Sequence, residues 1–511
     1  MAMLSFGLTG TSVHAVVPVV SAINRERRVI HVWEQVLGAE EVAPDSDYFA
    51  HRLAPDLHKV AHSDPVRLFE QWAARRPDHP AICGADGTVL TYRELNRLSN
   101  RVARRLISAG VGPGVEVPVL ADRGPGLVVG WLAVGKAGGA YVPIDTSAPR
   151  AHIDALIADV AANAATGEVL SVVLTAEEFG DGRPSKLDDD NPSRRPEPRH
   201  LAYVAYTPGS AGRPQGCGIE RSNLAHILCW YCAEAGITSG DRLLQAVSPG
   251  FDAAVLEIWA ALRSGATICF LPAMLTEPAR LLCWMAEQEI TVAFLPAPLA
   301  EIVLTDRAWP PGLRLRVLVT GGDRLRVRPP ADAPFRVLSV YGPTECTVAS
   351  IAAYIGPAPP DTIPDTIPDI GKPIAGTDIY LLDPRGAKVA VGQWGEICVG
   401  GDGVGRGYLG SPGLTATRFV ADPFAGRPGA RMYRTGDLAR WVDGQLEIRG
   451  QRVEPAEVRR ALTTRPLVRE AVVVASVAPR GPARLLPAYP GETPERSSRT
   501  AFSTSGRSPL R

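Results

Sequence analysis

The sequence has few of the features that mark a secreted, membrane-spanning or nucleic-acid-binding protein. Its eight cysteines are spread over 511 residues, whereas a disulfide framework needs cysteines at a high density. Lysine plus arginine and aspartate plus glutamate both number 54, so no net field attracts nucleic acid or an anionic membrane. The longest apolar runs, such as residues 15–20 and 127–134, are too short to span a bilayer. Because a basic leader with a cleavage site is also missing, we expect a cytoplasmic protein without membrane or nucleic-acid partners.

The order of the predicted elements indicates an α/β fold. Leu95, Leu98, Val102 and Leu106 recur at helical spacing, and Gly110 follows as a stop signal. Strand-like and helix-like stretches then alternate, which favours largely parallel sheets with ligands bound at the carboxyl ends of the strands. The predicted helices are 127–136, 256–262 and 281–289, and the predicted strands are 115–120, 140–144, 267–271, 291–295 and 316–320. Two further strand-like stretches, 379–382 and 396–399, predict a β-rich part.

A glycine-rich loop follows one of the strand-like stretches. Residues 201–216 read LAYVAYTPGSAGRPQG, and glycines in such a loop let backbone N–H groups approach phosphate oxygens closely. The loop lacks the Gly-Lys-Ser/Thr ending of the common nucleotide-binding loop. A plain turn is the alternative for a loop of this kind taken alone. The residues that would contact phosphate are Thr207, Gly209, Ser210, Gly212, Arg213 and Gly216.

Six more blocks accompany this loop, in order along the chain. They read LTYREL at 90–95, KAGGAYVPID at 136–145, FDAAVLE at 251–257, YGPTE at 341–345, GEICVGGDGVGRGYL at 395–409 and YRTGDL at 433–438. With the loop they resemble, over about residues 69–474, the adenylation domains of nonribosomal peptide synthetases, which are acyl-adenylate-forming enzymes. The resemblance implies activation of an amino acid: ATP and the amino acid give aminoacyl-AMP and diphosphate.

The resemblance also implies four parts of the chain. Residues 65–437 would form a large subdomain of α/β layers with a β-rich part, which binds ATP and the amino acid, and 438–478 a small, truncated α+β subdomain. Residues 1–64 would be a degenerate segment, because 29–49 resemble the start of a peptidyl carrier domain but no serine follows that could accept phosphopantetheine. That cofactor is therefore expected only on a separate carrier protein or neighbouring synthetase module. Residues 479–511, rich in Arg, Ser and Pro, are expected to be disordered.

The resemblance assigns roles toward ATP and magnesium to residues of these blocks. Glu345 would hold Mg²⁺, a cation that prefers oxygen ligands, and Thr344 would bond the α-phosphate, so that both act with Thr207 in catalysis. Tyr341 would stack on adenine, and Asp437 would accept hydrogen bonds from the ribose. The alternative is that Glu345 and Asp437 are solvated loop carboxylates. Further ATP contacts would come from Gly322, Asp323 and Gly342.

Asp252 indicates the class of acid. An amino acid brings an ammonium group into an apolar pocket, where it needs a charged partner, and the family places a carboxylate at this position. All residues that the family places around the side chain are apolar here, which favours an aliphatic substrate of Leu, Ile or Val size, with Phe as the second choice. These residues are Ala253, Leu256, Phe294, Val319, Gly321, Val340, Val348 and Ala349.

The sequence departs from the family where charge is needed. In the glycine-rich loop Pro208, Ala211 and Gln215 replace a serine, a threonine and a lysine, although Arg213 could supply some charge. Arg221 stands where the family has a histidine near the reacting carboxylate. The loss of one preorganised electrostatic group at a reacting centre costs about 3 kcal/mol in the barrier.

The C-terminal part shows a larger departure. DGQLE at 443–447 runs directly into IRG at 448–450, without the intervening block that holds the hinge of the small subdomain, and no lysine follows Lys388. Three functions stay open on this basis. The chain is an amino-acid-adenylating ligase, a catalytically impaired fragment that binds ATP and amino acid, or a relative of the acyl-CoA synthetases, against which Asp252 argues.

Overall fold

The computed structural model describes the central two-thirds of the chain and short pieces near its C-terminus. The described residues are 64–163, 172–173, 190–193, 196–207, 214–272, 277–357, 368, 370–442, 445–449, 472–476 and 484–488. Most of the predicted segment 1–64 and most of 438–511 therefore lie outside the described residues.

Two mixed sheets carry most of the fold. The six-stranded sheet has the order β17-β7-β6-β4-β3-β5, in which β6, β4, β3 and β5 are parallel. Its strands are β3 (Glu116–Ala121), β4 (Ala140–Asp145), β5 (Val172–Val173), β6 (Leu201–Thr207), β7 (Gln215–Glu220) and β17 (Gly407–Tyr408).

The nine-stranded sheet has the order β14-β13-β12-β11-β10-β8-β9-β1-β2. Its central strands from β12 to β1 are parallel, whereas the pairs at both edges are antiparallel. Its strands are β1 (Pro80–Cys83), β2 (Val89–Thr91), β8 (Arg242–Gln245), β9 (Thr267–Phe270), β10 (Val292–Pro296), β11 (Val317–Gly321), β12 (Arg336–Tyr341), β13 (Ile351–Ile355) and β14 (Lys372–Pro373).

A third sheet is antiparallel throughout and confirms the predicted β-rich part. It has the order β15-β16-β19-β18, and β20 pairs with β19. Its strands are β15 (Thr377–Leu382), β16 (Gly395–Gly401), β18 (Phe419–Ala421), β19 (Arg431–Val442) and β20 (Gln445–Arg449). β19 runs across position 437, where the predicted large subdomain ends.

A two-stranded sheet pairs β21 (Val472–Ser476) with β22 (Arg484–Ala488). β22 falls within 479–511, for which we expected disorder. The run RLLPA contains two leucines and an alanine. Its backbone is paired with that of β21, which satisfies backbone polar groups. The expectation of disorder therefore does not hold at 484–488, and the rest of that segment lies outside the described residues.

The helices begin and end at the residues that local chemistry favours. Thr91 caps α2: its hydroxyl accepts from the Glu94 N–H at 3.2 Å, and Glu94 accepts from the Thr91 N–H at 2.8 Å. Gly138 ends α3 in the left-handed conformation at φ 87°. The described helices are α1 (Pro65–Arg75), α2 (Tyr92–Ser108), α3 (Pro125–Ala137), α4 (Arg150–Asn163), α5 (Arg221–Glu234), α6 (Ala254–Ser264), α7 (Pro278–Glu287), α8 (Ala297–Asp306) and α9 (Pro412–Arg418).

A stack of buried aromatic rings connects elements that belong to or pack on the two large sheets. Tyr141 on β4 stacks on Trp131 of α3, with ring centroids 4.5 Å apart, and on Tyr203 of β6 at 5.4 Å. Trp259 of α6 donates a hydrogen bond from its indole N–H to the Tyr141 hydroxyl at 2.9 Å. Because α6 also contacts β8 and β9, the stack joins both sheets through their helices.

The α/β prediction is confirmed. None of the helices in the described part of the chain has both the length and the apolar character needed to cross a membrane.

Candidate functional site

The residues predicted to form the site come together at the carboxyl ends of parallel strands. Phe294 on β10 is in register with Val319 on β11, and Pro296 with Gly321 one pair later. Val319 is in register with Leu338 on β12, the strand that ends at Tyr341. Side chains and loops that follow these strands are therefore adjacent in space.

Asp252 lies in the loop between β8 and α6, and a buried carboxylate fixes that loop. Glu257 on α6 accepts from the backbone N–H groups of Ala246 and Val247 at 3.1 and 3.3 Å, and from the Gln245 side chain at 3.0 Å. Burial outweighs these bonds and raises the pKa of Glu257 to about 8. The anchored segment holds the backbone just before Asp252.

Asp252 faces the short 3₁₀ helix Thr344–Cys346 that follows β12. Burial raises the pKa of Asp252 to about 6, the hydrogen bond from the Thr344 hydroxyl opposes that shift, and repulsion from Glu345 adds to it. Asp252 and Glu345 therefore lie close enough for their charges to interact. A carboxylate held among other negative groups is suited to receive a cation.

Glu345 is almost fully buried, at 1% exposure. Its Oε1 accepts from the Tyr408 hydroxyl at 2.6 Å, and that hydroxyl also lies 3.1 Å from the Tyr433 hydroxyl. Its Oε2 is buried and has no hydrogen-bond partner. Since an unpaired buried carboxylate oxygen is costly, this atom calls for a cation.

A magnesium ion fits this arrangement. Mg²⁺ is usually held by one or two carboxylates together with waters and phosphate oxygens, and protein side chains alone rarely enclose it. Within the described residues there is no group of three or more His, Cys, Asp or Glu side chains that could hold a metal by themselves. The unpartnered Oε2 of Glu345 is the donor atom that such a shared site needs.

Tyr341 and Asp437 are 96 positions apart in the sequence but are in contact in the structure. The Tyr341 hydroxyl donates to Oδ2 of Asp437 at 2.5 Å, and the backbone N–H of Asp437 donates to the Thr435 hydroxyl at 3.0 Å. Burial raises the pKa of Tyr341, and the Asp437 charge adds to that shift, so the phenol stays protonated and remains a donor. The predicted adenine and ribose contacts are thus neighbours.

The glycine-rich loop joins β6 to β7 beside these groups. Thr207 and Gln215 are in register at the two ends of the hairpin, and Gly216 follows. Cys217, the next residue, has its pKa raised by burial and then by the charge of Glu345 and, more weakly, that of Asp252, which places the base of the loop next to both carboxylates. The other loop residues with predicted roles, Gly209, Ser210, Gly212 and Arg213, lie outside the described residues, as do Pro208 and Ala211.

The residues predicted to line the side-chain pocket are all buried. They belong to the main hydrophobic cluster, apart from Gly321, which is buried at the end of β11. Val348 reaches its place through a strained turn: Thr347 and Val348 have φ values of 60° and 70°, a region that L-residues seldom adopt. The Thr347 hydroxyl donates to the Gly403 carbonyl at 2.7 Å and holds the turn.

Glycines allow close backbone approach around this turn. A Cβ on Gly342 would lie 2.6 Å from the Ala349 Cα and 2.7 Å from the Val348 carbonyl oxygen, and one on Gly321 would lie 2.7 Å from the Val340 carbonyl oxygen. Gly322 has a φ of 80° and lies against the Phe251 ring. Asp323 follows, and its carboxylate pairs with Arg326 at 3.6 Å.

A cavity of about 320 Å³ opens beside the Asp252 loop. Phe251, an exposed aromatic residue, forms part of its wall together with Asp145 and Tyr206. None of the apolar residues predicted around the substrate side chain lines this cavity. It is therefore a separate space next to the predicted amino-acid site.

Two residues of the site were not assigned roles from the sequence, and one residue near it has a different role from the family's. Tyr408 is the hydroxyl partner of Glu345, and Phe251 lies at the surface beside Gly322. Arg221, at the family's histidine position, is buried and pairs with Asp64 at 3.1 Å and with the Gly135 carbonyl at 2.8 Å. Its charge is thus used within the core.

Comparisons with known proteins identify the family of the chain. Residues 69–409 match the family model described as AMP-binding enzyme. Linear gramicidin synthase subunits B and D of Brevibacillus parabrevis are 36% and 37% identical, over 86% and 82% of this chain but only 9% and 8% of their own length. The solved structure of PA1221, a nonribosomal peptide synthetase protein containing adenylation and PCP domains, is 25% identical with a TM-score of 0.68 over 82% of this chain and 75% of that one. The chain thus spans less than a tenth of the curated relatives.

Proposed function

Because the chain belongs to the AMP-binding enzymes and is related within them to nonribosomal peptide synthetase adenylation domains, we propose that it activates an amino acid as aminoacyl-AMP. The carboxylate of the amino acid would attack the α-phosphorus of ATP, and diphosphate would leave. The observation that carries this proposal is that Asp252 accepts a hydrogen bond from Thr344 and lies close enough to Glu345 for the two charges to interact.

The proposed role of Asp252 is to receive the substrate ammonium group. Its raised pKa reflects burial and the neighbouring charge of Glu345, and an ammonium ion would relieve both. A fatty or aryl acid would leave this carboxylate without a partner, at a cost in binding. An amino acid is therefore favoured over the free acids that acyl-CoA synthetases use.

The proposed substrate side chain is aliphatic and uncharged. The residues assigned to its pocket are apolar and buried, and the strained turn at Thr347 and Val348 fixes the position of one wall. A polar side chain would leave its donors and acceptors unpaired there. The difference between Leu, Ile and Val is worth only about 1–3 kcal/mol in such a pocket, so selection among them is expected to be incomplete.

Glu345 would hold the metal and Asp437 the ribose. A magnesium ion at Oε2 of Glu345 would offset the charge of the triphosphate when bound. Thr344 could bond the α-phosphate only by giving up its present bond to Asp252, and Asp437 would likewise have to share its carboxylate between the ribose and Tyr341. The exchange at Thr344 would couple nucleotide binding to the amino-acid site, because Asp252 is the proposed partner of the ammonium group.

A binding protein with slow turnover is the second candidate, and three observations favour it. Arg221 is paired within the core, and Gln215, which stands at the family's lysine position, is neutral. The junction at which the family's hinge block is missing, Glu447–Ile448, lies inside β20, where these residues pair with Arg440 and Ala439 of β19. A hydrogen-bonded strand at this point resists the rotation that a hinge requires.

The acceptor of the activated amino acid would be a carrier domain on another protein or module. The solved relative PA1221 contains an adenylation and a PCP domain together, and phosphopantetheine on such a carrier supplies the thiol that would attack the adenylate. In the present chain the stretch HRLAPDLHKV at 51–60, just after the carrier-like residues 29–49, contains no serine for that cofactor.

Amino-acid-dependent exchange of labelled diphosphate into ATP tests the proposal. We expect exchange with Leu, Ile or Val and little with charged amino acids. Exchange with free fatty or aryl acids instead would support the acyl-CoA synthetase alternative. ATP binding by calorimetry without exchange on any amino acid would support the slow-turnover candidate.

A further inference from the structure

Two cysteines lie opposite each other on neighbouring strands of the nine-stranded sheet, away from the proposed site. Cys83 on β1 and Cys269 on β9 are register partners in parallel strands, so their Cα atoms are about 4.8 Å apart. That separation lies within the range a disulfide can bridge. Both residues are free thiols, and their side chains are hydrogen-bonded to each other.

Both thiols point to the same side of the sheet. Cys269 is part of the second hydrophobic cluster, and Cys83 packs against that cluster from a partly exposed position. Solvent therefore reaches Cys83 more readily than Cys269.

A cation lies beside the exposed member of the pair. The Arg242 guanidinium, at the start of β8, is 3.6 Å from Sγ of Cys83, and its Nε–H donates to the Gln288 carbonyl at 2.5 Å, which holds it in place. A nearby positive charge stabilises a thiolate, which is the nucleophilic form of cysteine.

We propose that Cys83 and Cys269 are a peroxide-reactive dithiol site, in which Cys83 is oxidised first and Cys269 then closes a disulfide with it. In the first step the Cys83 thiolate attacks one oxygen of hydrogen peroxide, the O–O bond breaks, and hydroxide leaves, which gives a sulfenic acid. In the second step the Cys269 sulfur attacks the Cys83 sulfur, the S–O bond breaks, and the thiol proton and the departing hydroxide form water. Overall, two thiols and one peroxide give one disulfide and two waters.

The electrostatics of the pair agree with this order. The hydrogen bond from Cys269 and the charge of Arg242 lower the pKa of Cys83, whereas donation of that hydrogen bond and burial raise the pKa of Cys269. The attacking thiol is thus Cys83. After its oxidation the thiolate that holds the Cys269 proton no longer exists, and Cys269 becomes able to attack.

Peptide mapping of the full chain treated with hydrogen peroxide tests the site. After free thiols are blocked, we expect a linked pair of tryptic peptides containing Cys83 and Cys269, two hydrogens lighter than the separate peptides. Cys269→Ser should stop the reaction at a Cys83 sulfenic acid that dimedone traps, and Cys83→Ser should leave Cys269 reduced. Circular dichroism verifies that both variants are folded.

Arg242 variants test whether the reactivity of Cys83 depends on the nearby positive charge or only on exposure of the thiol to solvent. Arg242→Gln should slow oxidation of Cys83 about tenfold, because an ordinary thiol is only a few per cent thiolate at neutral pH, and Arg242→Lys should restore part of the rate. Cys283 on α7, which is exposed, is the control within the same molecule. Oxidation of Cys283 as fast as Cys83, an unchanged rate in Arg242→Gln, or over-oxidation of Cys83 without a link to Cys269 would each overturn the proposal.

Discussion

Three carboxylates around the site show how differently single residues hold a negative charge. Glu257 accepts hydrogen bonds from two backbone N–H groups and a side-chain amide, Glu345 keeps one buried oxygen without a partner, and Asp252 feels the charge of Glu345. Only the last two have a need that a ligand would satisfy. The charge on these residues, more than the shape around them, identifies the site.

The raised pKa of Asp252 predicts how amino-acid binding depends on pH. The ammonium ion needs the ionised carboxylate, so the affinity for the amino acid should be full above pH 7 and fall as the pH drops through about 6. Calorimetric titration of the amino acid from pH 5 to pH 8 (about the range over which this group titrates) measures the effect. In Asp252→Asn the affinity should be low and flat over this range; a slope that persists in the variant would assign the titration to another group.

Glu345 is expected to control metal-dependent nucleotide binding. Glu345→Gln should weaken the binding of magnesium-ATP by about tenfold or more, because a charged metal ligand becomes neutral. ATP without magnesium should bind both proteins alike, and fluorescence titration with a labelled ATP analogue measures each case. Tyr408→Phe keeps the carboxylate but removes its hydrogen bond, and it serves as the control: a loss as large as that of Glu345→Gln would mean that this hydrogen bond rather than the charge of Glu345 governs the effect.

For individual residues, the sequence predicts the side chains within short motifs better than it predicts their contact partners. Asp252, Thr344 and Glu345 could be named from FDAAVLE and YGPTE, and the structure brings them together. The bond between Tyr408 and Glu345 joins residues 63 positions apart, and no local pattern encodes it. The ion pair between Arg221 and Asp64 likewise depends on tertiary packing.

Elements place these residues through their ends. The parallel strands β10, β11 and β12 end side by side. Each predicted helix or strand in this region lies within a few residues of its predicted limits, because apolar periodicity and Gly or Pro stop signals are local. The positive φ values at Thr347 and Val348 could not be predicted, since neither residue type favours that conformation. The surrounding contacts impose it.

The turn after β12 predicts a sharp difference between two glycines. Gly342→Ala should lower the free energy of unfolding by about 2 kcal/mol or more, because its Cβ would overlap backbone atoms that cannot move away separately. Gly356, just after β13, has nothing within 4 Å of a Cβ and no positive φ, so Gly356→Ala should change stability little. Urea unfolding of both variants decides, and equal stabilities would mean that the turn is less tightly packed than described.

For the molecule as a whole, the sequence predicts the fold class and the presence of a β-rich part, but not the pairing of β20 with β19. The α/β layers and the presence of a β-rich part follow from the order of elements, whereas the antiparallel pairing of that part is known only from the structure. The continuous pairing of β20 with β19 through Glu447 and Ile448 does not follow from it either, because the order of elements does not fix which residues of two strands pair. The hinge block that we propose to be missing would stand between these two residues of the strand.

Insertion of the hinge block should therefore raise any turnover that the protein shows. Insertion of the ten residues F-x-G-R-x-D-x-Q-V-K of the family pattern between Glu447 and Ile448, together with Gln215→Lys, should raise amino-acid-dependent diphosphate exchange by about a hundredfold, since electrostatic groups and a mobile subdomain each contribute about tenfold or more. The insertion alone with Gln215 retained is the control for the charge. No gain from either change would place the defect elsewhere in the chain.

Binding of two stable mimics of aminoacyl-AMP tests the central assignment without requiring turnover. One is a leucyl sulfamoyl adenosine, and the other is the same compound without its α-amino group. We predict that the protein binds the amino-bearing mimic about a hundredfold more tightly, the effect of one buried charge pair, and that Asp252→Asn binds the two alike. Equal affinities in the unaltered protein, or an undiminished preference in Asp252→Asn, would contradict the account.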